Sequence, residues 1–277
     1  MLALPLVVFT EPLDLFPPHA RSPERGAEEA LHELERRQVP LIFASRGTRM
    51  EVEFVRRKLE SRHPFITENG GGLFVPEGYF RQRIAEAETI RHYHRISLAR
   101  PYSEACAALE ETAHEAGVEA VGFHSMSARE VAENFGLPPR MADLARLREY
   151  DEPFFFAGDP ASSERRLAEA AKPRGWQVTR GERFWHFSSG ANVGTAVRRL
   201  MEFYRTARHA RLRSVAIGWS HHQFALLTAA GRAIVLPDPD GTYDDELAQR
   251  LPAARRTAIG GAAGWNAAVM EILEGKL

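Results

Sequence analysis

The first 75 residues alternate between short apolar runs and segments in which apolar side chains recur at helical spacing, and this alternation limits the possible folds most strongly. The candidate strands are residues 2–10, 39–44, 65–66 and 73–75, and the candidate helices are residues 25–38 and 48–59. Strands and helices that alternate with short connections predict a parallel sheet with helices on both faces. Such sheets bind ligands at the carboxyl ends of their strands, where Glu11, Ser45 and Glu68 would lie.

The pattern changes between residues 85 and 187, where strands and helices follow one another less regularly. Candidate strands here are Ile90–Leu98, Val118–Phe123, Pro153–Ala157 and Trp176–Thr179, and candidate helices are Tyr102–Ala116, Ala128–Phe135, Pro139–Arg148 and Ser162–Ala171. The regular alternation then returns with a helix at Val193–Thr206, a strand at Ser214–Gly218, a helix at His222–Ala230 and a strand at Arg232–Leu236. We therefore expect a core formed by residues 1–84 and 188–277, with an α+β domain inserted at residues 85–187.

The composition excludes several classes of protein. The 277 residues are 44% hydrophobic and 26% charged, as in soluble globular proteins. No apolar run reaches the roughly 20 residues of a membrane helix, and residues 1–10 are too short and too rich in β-branched side chains for a signal peptide. A net charge of -1 provides no basic surplus for nucleic acid. The single cysteine, Cys106, excludes an intrachain disulfide and indicates a cytoplasmic protein.

Six stretches, spread over most of the chain, carry a resemblance to a known family. They are VVFT at residues 7–10, PFITENGGG at 64–72, REYDEPF at 148–154, RFWH at 183–186, GTAV at 194–197 and AIGWS at 216–220. In this order and spacing they resemble the mannosyl-3-phosphoglycerate phosphatases, a branch of the haloacid dehalogenase (HAD) superfamily. The resemblance implies a Rossmann-like core with an inserted α+β cap domain, and a Mg²⁺-dependent hydrolysis of sugar phosphates.

The first strand departs from the pattern that this chemistry needs. The resemblance implies an aspartate that attacks phosphorus and, two residues later, a second aspartate that acts as general acid and base. This chain has Glu11 at the nucleophile position and Leu13 at the general-acid position. The longer glutamate displaces its carboxylate, and leucine cannot transfer a proton. Asp14 replaces the missing acid only if the loop carries a one-residue insertion.

Later motifs depart from the pattern as well. The family pattern has a lysine where this chain has Val193, between Asn192 and Gly194. Its last metal motif places acids where Trp219 and Gln223 stand, with His222 beside them. Since Mg²⁺ requires hard oxygen ligands, we predict no metal at Leu13, Trp219, His222 or Gln223 and expect no cofactor. Mg²⁺ is expected only if the chain is an active phosphatase.

Candidate ligand-binding residues are better preserved. Ser45, with Arg46 beside it, stands where the family binds phosphate, although a serine that caps the following helix explains it equally well. The remaining candidates are Glu68, Asn69 and Gly70 after the third strand, and Glu152 and Arg183 in the inserted domain. For Glu152 and Arg183 the alternative is an ion pair within that domain, and for Gly70 it is a tight turn.

Other residues with metal-binding or nucleophilic side chains have simpler interpretations. His92 and His94 share one face of a strand but have no third ligand in reach. Cys106 lies on an apolar helix face with Ala105 and Leu109, which favours a core position over a nucleophile.

Together these substitutions predict a catalytically impaired pseudophosphatase that binds a phosphorylated sugar acid, or a protein partner. One alternative is an active sugar-phosphate phosphatase that uses Glu11 or Asp14 in a rearranged site. Another is a structural or regulatory subunit with a closed cleft, in which Leu13, Phe16 and Trp219 fill the former metal site.

Overall fold

A nine-stranded sheet forms the centre of the molecule. The computed structural model describes residues 5–16 (without the side chain of Asp14), 22, 24–181, 184–190, 192–208 and 211–276. The strands of this sheet are β1 (Leu6–Thr10), β2 (Leu41–Ala44), β3 (Phe65–Thr67), β4 (Gly72–Pro76), β5 (Glu88–Ile90), β6 (Tyr93–Ser97), β11 (Arg213–Gly218), β12 (Arg232–Val235) and β13 (Arg255–Arg256). Their order is β13-β12-β11-β1-β2-β3-β4-β6-β5, parallel from β13 to β3 and antiparallel from β3 to β5.

Helices cover both faces of this sheet, as the alternating pattern predicts. The helices of the core are α1 (Pro12–Leu15), α2 (Glu28–Arg36), α3 (Arg49–Lys58), α8 (Val193–Arg208), α9 (Phe224–Ala229), α10 (Asp245–Arg250) and α11 (Gly261–Leu273). Val8 of β1 packs in one apolar cluster with residues of α2, α3 and α11, whereas Val7 and Phe9 pack in a second cluster with α8, α9 and α10. Consecutive side chains of a strand point to opposite faces, so this division requires an apolar layer on each side.

The inserted unit has a sheet of its own, with the order β7-β8-β10-β9 and antiparallel pairing throughout. Its strands are β7 (Ala120–Gly122), β8 (Glu152–Phe156), β9 (Gln177–Arg180) and β10 (Trp185–Ser188), and its helices are α4 (Tyr102–Ala116), α5 (Ala128–Phe135), α6 (Pro139–Ala145) and α7 (Pro160–Ala171). Phe154 and Phe156 of β8 pack under α4 and α7, and Phe155 packs with residues of α5 and α6 on the opposite face.

The segment that we predicted as the first strand of the inserted unit, Ile90–Leu98, belongs to the large sheet instead. It forms the hairpin β5–β6, and β6 pairs with β4 from Gly72 to Pro76. The boundary expected at residue 85 therefore precedes two strands of the core, and we propose that the inserted unit begins near Pro101. Within the described residues, no helix is both long and apolar enough to cross a membrane.

Candidate functional site

The carboxylate of Glu11 lies at the carboxyl end of β1 and is bound to the end of β2. Glu11 is buried, with 3% of its surface exposed. Its Oε1 accepts hydrogen bonds from Ser45 Oγ at 2.7 Å and from the Leu13 backbone N–H at 3.2 Å, and its Oε2 accepts one from the Arg46 backbone N–H at 3.1 Å. The structure thus brings three predicted site residues together, but with the glutamate bound to the donors that we expected for a phosphate.

Leu13 occupies the general-acid position with an apolar side chain that packs against the core cluster containing Phe16. A Cβ added at Gly47 would lie 2.4 Å from Leu13 Cδ1, so Leu13 fills the space beside the loop that follows Ser45. The side chain of Asp14 lies outside the described residues, and its proposed role therefore stays a prediction.

The positions of the expected metal ligands do not fit Mg²⁺. Gln223 is buried, and its Oε1 accepts hydrogen bonds from the backbone N–H groups of Trp219 at 2.7 Å and Ser220 at 3.3 Å. The half-buried Trp219 packs against the same core cluster as Leu13. His222 follows, with its backbone N–H bound to Ser220 Oγ at 3.3 Å. An amide oxygen used by the backbone, an indole and a leucine do not offer the oxygen ligands that Mg²⁺ requires.

A ligand-sized cleft lies beside Trp219, between the core and the inserted unit. Its volume is about 820 Å³, within the range of small-molecule sites. It is lined by Arg180, Gly181, Trp219, Ser220, His221, His222, Asp238, Asp244 and Glu246. His221 is held in place by Asp244, which accepts from its backbone N–H at 2.8 Å and contacts its Nδ1 at 2.6 Å.

Glu68 does not face this cleft but binds the backbone of the inserted unit. Its carboxylate is buried and accepts hydrogen bonds from the backbone N–H groups of Glu149, Tyr150 and Asp151 at 2.8–3.1 Å. Burial raises the pKa of Glu68 to about 7, against the lowering effect of Arg148 and of the backbone N–H groups. Because its oxygens already accept three N–H groups, Glu68 acts as an anchor between the two units.

Asn69 joins a buried polar cluster in the same region. Asn69 Nδ2 donates to Asp151 Oδ2 at 2.8 Å, and His186 Nδ1 lies 2.7 Å from the same oxygen. Arg148 forms an ion pair with Asp151 and donates to the Arg46 carbonyl oxygen at 3.1 Å. Burial, together with the charges of Arg148 and Arg46, holds the pKa of His186 well below its usual value, so His186 is neutral and donates to Asp151.

Gly70 permits a close approach of two backbone segments. Its φ of 97° lies in the region that favours glycine, and an added Cβ would stand 2.4 Å from the carbonyl carbon of Asn192. Asn192 in turn accepts from the Thr195 backbone N–H through Oδ1 at 3.0 Å, at the start of α8. The structure therefore gives Gly70 a packing role at the loop where the family pattern has its lysine.

Glu152 and Arg183 are not brought into this cluster. Glu152 lies on the face of β8 that α4 and α7 cover, is 0% exposed, and binds the backbone N–H of His124 at 3.0 Å and His124 Nδ1 at 2.7 Å. The structure places the Glu152 side chain on the face of β8 under α4 and α7, and Glu152 is not among the residues that line the cleft beside Trp219, so its predicted contact with a ligand stays a prediction. Arg183 lies outside the described residues.

Comparison with known proteins decides the family. No family model matches the chain. A curated relative from Methanococcoides burtonii, a glucosyl-3-phosphoglycerate/mannosyl-3-phosphoglycerate phosphatase, is 33% identical over 248 residues, which are 90% of each chain. The chain belongs to the mannosyl-3-phosphoglycerate phosphatase family. A mannosyl-3-phosphoglycerate phosphatase of Pyrococcus horikoshii is 30% identical over 211 residues, 76% of this chain and 82% of the relative.

Solved structures agree with this family at the level of the fold. A haloacid dehalogenase-like hydrolase from Bacteroides thetaiotaomicron superposes with a TM-score of 0.66 and 16% identity, over 98% of this chain and 100% of the other. The predicted architecture, a Rossmann-like core with an inserted α+β cap, is therefore confirmed. We use the name cap for the inserted unit below.

Three residues through which the cap contacts the core were not predicted from the sequence. Arg148, Asp151 and His186 are each 5% exposed or less at the side chain and form the centre of the polar cluster. All three fall inside the stretches that carried the family resemblance. Only His186 carries a signal of this in the sequence, since it stands between the apolar Trp185 and Phe187, which indicates a buried and paired group; Arg148 and Asp151 stand among other charged residues and carry none.

Proposed function

We propose that this chain is a catalytically impaired member of the mannosyl-3-phosphoglycerate phosphatase family that binds a phosphorylated sugar acid without hydrolysing it. The single observation that carries the proposal is the position of Glu11, whose carboxylate accepts from Ser45 Oγ and from the Arg46 backbone N–H. A phosphoryl group and the glutamate would compete for the same two donors. Both are anions, so they would also repel each other within this buried site.

The neighbouring substitutions support the loss of turnover. Leu13 cannot act as an acid, and Val193 provides no positive charge for the phosphoryl oxygens. Gln223 directs its amide oxygen to the Trp219 and Ser220 backbone rather than to a metal. Each change alone typically costs several kcal/mol of transition-state stabilisation, and together they remove both proton transfer and charge neutralisation.

The cleft supports ligand binding over a purely structural role. Leu13 and Trp219 do pack against the cluster of Phe16, as the closed-cleft alternative requires. A cleft of about 820 Å³ nevertheless adjoins Trp219 and has polar walls, including Arg180 and Asp244. Polar groups of both signs suit sugar hydroxyls and a carboxylate. A protein partner remains the alternative ligand, and the single cysteine leads us to propose a cytoplasmic location.

The first test is a phosphatase assay with mannosyl-3-phosphoglycerate, glucosyl-3-phosphoglycerate and a panel of sugar phosphates, with Mg²⁺, Mn²⁺, Co²⁺ or Zn²⁺. We expect no turnover above background for the wild-type chain. Turnover that disappears in Glu11→Ala would refute the proposal and establish the active-phosphatase alternative, in which Glu11 is the nucleophile.

The second test measures the binding of inorganic phosphate by calorimetry. Glu11→Ala should free the Ser45 and Arg46 donors and remove a buried negative charge, so we expect phosphate affinity to rise at least tenfold, about 1.4 kcal/mol. Glu11→Gln is the matched control, because it removes the charge but keeps the side chain in place, and its gain should be smaller. The double variant Glu11→Ala/Ser45→Ala should lose most of the gain. Equal affinity in the wild type and Glu11→Ala would contradict occupation of the phosphate donors by Glu11.

The third test separates a binding protein from a structural subunit. Calorimetry with mannosyl-3-phosphoglycerate, and with its dephosphorylated form, should give measurable heat for the wild type. Because Glu11 occupies the phosphoryl donors, we expect little preference between the two ligands in the wild type and a preference for the phosphorylated one in Glu11→Ala. No heat and no thermal shift with either ligand would favour the closed-cleft alternative.

A further inference from the structure

The cap contains a cluster of three metal-binding side chains that lies apart from the core site. Cys106 of α4, His124 of the 3-10 turn at Phe123–Ser125, and Glu152 of β8 place their Sγ, ring nitrogen and carboxylate oxygen within 4.8 Å of one another. Three separate elements supply these side chains, so the grouping is a product of the tertiary fold. None of these three side chains takes part in the hydrogen bonds around Glu11.

Glu152 has an unsatisfied acceptor at this position. Its Oε1 accepts from the backbone N–H of His124, whereas its Oε2 has no well-formed hydrogen bond among the described residues, although the Tyr102 hydroxyl and the Cys106 thiol lie beside the carboxylate. The residue is 0% exposed, and no lysine or arginine is paired with it in the described part of the chain. A buried carboxylate oxygen without a partner is costly, and coordination to a cation is one way to compensate it.

His124 is oriented as a metal ligand would be. Its Nε2 lies 2.8 Å from Glu110 Oε1, and its Nδ1 lies 2.7 Å from Glu152 Oε1. Burial opposes a charge on the ring, but the hydrogen bonds to Glu152 and Glu110 outweigh it and raise the pKa of His124. An imidazole whose outer nitrogen donates to a carboxylate is the usual arrangement around protein-bound zinc.

We propose that Cys106, His124 and Glu152 form a Zn²⁺ site within the cap, with Glu110 as the residue that orients His124. One sulfur, one imidazole and one carboxylate suit Zn²⁺ and do not suit Mg²⁺. Ligand atoms about 2.0–2.3 Å from a tetrahedral zinc ion lie roughly 3.3–3.8 Å from one another, so shifts of about 1 Å close the site. Tyr102, which adjoins both Glu152 and Cys106, or a water would stand at the fourth position.

The chemistry of Cys106 distinguishes this site from a nucleophile. Burial and the neighbouring Glu152 raise the pKa of the Cys106 thiol to about 12, which opposes a reactive thiolate. Zinc coordination deprotonates a thiol directly, so binding would release the proton from Sγ and the proton from His124 Nδ1 to solvent. The reaction balances without any redox step.

Titration of the metal-free full-length chain with Co²⁺, followed by competition with Zn²⁺, tests the site without any activity measurement. A thiolate ligand gives an intense sulfur-to-cobalt charge-transfer band. Since Cys106 is the only cysteine in the chain, the band has a single possible source. We expect one equivalent of Co²⁺ to produce the band, Zn²⁺ to abolish it, and Cys106→Ser to lack it.

Further variants assign the remaining ligands. His124→Ala and Glu152→Gln should weaken Zn²⁺ binding by at least tenfold, and Glu110→Ala by about ten- to a hundredfold at most. His92→Ala, an exposed histidine on the connection between β5 and β6, is the matched control and should bind as the wild type does. For variants that do not fold, protection of Cys106 from iodoacetamide by Zn²⁺ in the wild-type chain provides the same information. A missing thiolate band together with unprotected alkylation would overturn the proposal.

Discussion

Replacement of Gly70 by alanine tests the close approach between the loop after β3 and the start of α8. The added methyl group would lie 2.4–2.5 Å from the carbonyl carbon and oxygen of Asn192 and from the backbone nitrogen of Val193. These are backbone atoms, which cannot turn away as a flexible side chain can. In addition, the φ of 97° is unfavourable for any residue with a Cβ.

The backbone strain and the steric overlap add to the cost of Gly70→Ala. Left-handed backbone strain costs about 1–2 kcal/mol, and overpacking against rigid neighbours costs about 1–3 kcal/mol. We expect Gly70→Ala to lower the free energy of unfolding by about 3 kcal/mol. Gly78→Ala is the matched control, because Gly78 has a φ of 74° but no atom within 4 Å of the added Cβ. It should cost about 1 kcal/mol.

Urea or guanidinium denaturation followed by far-ultraviolet circular dichroism measures both free energies, and the melting temperature of Gly70→Ala should fall by about 6–12 °C. Losses in Gly70→Ala and Gly78→Ala that agree within about 0.5 kcal/mol would refute the reasoning. That result would mean that the loop and α8 are farther apart than the structure has them.

Three further predictions concern the contacts between core and cap. The folded-state pKa of Glu68, about 7, lies above its ordinary value of 4.5, so its contribution to stability is fully present at low pH and is lost as the pH rises through 7. The free energy of unfolding should fall by about 3 kcal/mol between pH 4.5 and 8, and Glu68→Gln should abolish this pH dependence. Identical pH profiles for the wild type and Glu68→Gln, measured by denaturant titration, would contradict this. Arg148→Met leaves the buried carboxylates of Glu68 and Asp151 without their cation and should lower the free energy of unfolding by about 3–5 kcal/mol in the same assay. A decrease below about 1 kcal/mol would show that other groups compensate these charges. Thr48→Ala removes the N-cap of α3 and the hydrogen bond to the Leu144 carbonyl oxygen, so it should cost about 1–2 kcal/mol, more than Ser127→Ala at the exposed cap of α5.

Much of the fold could be predicted because its elements carry local signals. The helices Tyr102–Ala116 and Ala128–Phe135 have the predicted bounds, since each ends at a glycine with positive φ. The helix Gly261–Leu273 was not predicted. Its buried residues, Gly264, Trp265, Ala268, Val269 and Ile272, share one face, but the alanines on the remaining surface leave little polar contrast that would reveal this face in the sequence.

The strand assignment at residues 90–98 failed for a different reason. A strand pattern shows that a segment will pair, but it does not show with which sheet, because pairing depends on contacts distant in the sequence. Here β6 pairs with β4, which leaves the core sheet with an antiparallel edge.

The position of the candidate site could be predicted from the sequence, but the hydrogen-bond partners of its residues could not. Glu11, Ser45 and Arg46 follow strands that run parallel and side by side, so their proximity follows from topology. The partner of each polar group depends on side-chain direction, which the sequence does not define. Glu152 shows this, since a shift of one residue along β8 exchanges the face under α5 and α6 for the face under α4 and α7.

The contacts of Glu68 have a consequence for how a ligand could enter or leave. Within the described residues, the chain passes between core and cap near residues 97–101 and 188–190, and two such connections alone would allow the cap to rotate away from the core. Opening would have to break the three N–H hydrogen bonds of Glu68 and the ion pairs of Glu149 with Arg49 and Arg95. Residues 148–151 therefore hold the cap against the core, so a ligand in the cleft lined by Arg180, Gly181 and Trp219 would exchange through the mouth of the cleft and not by separation of the two units.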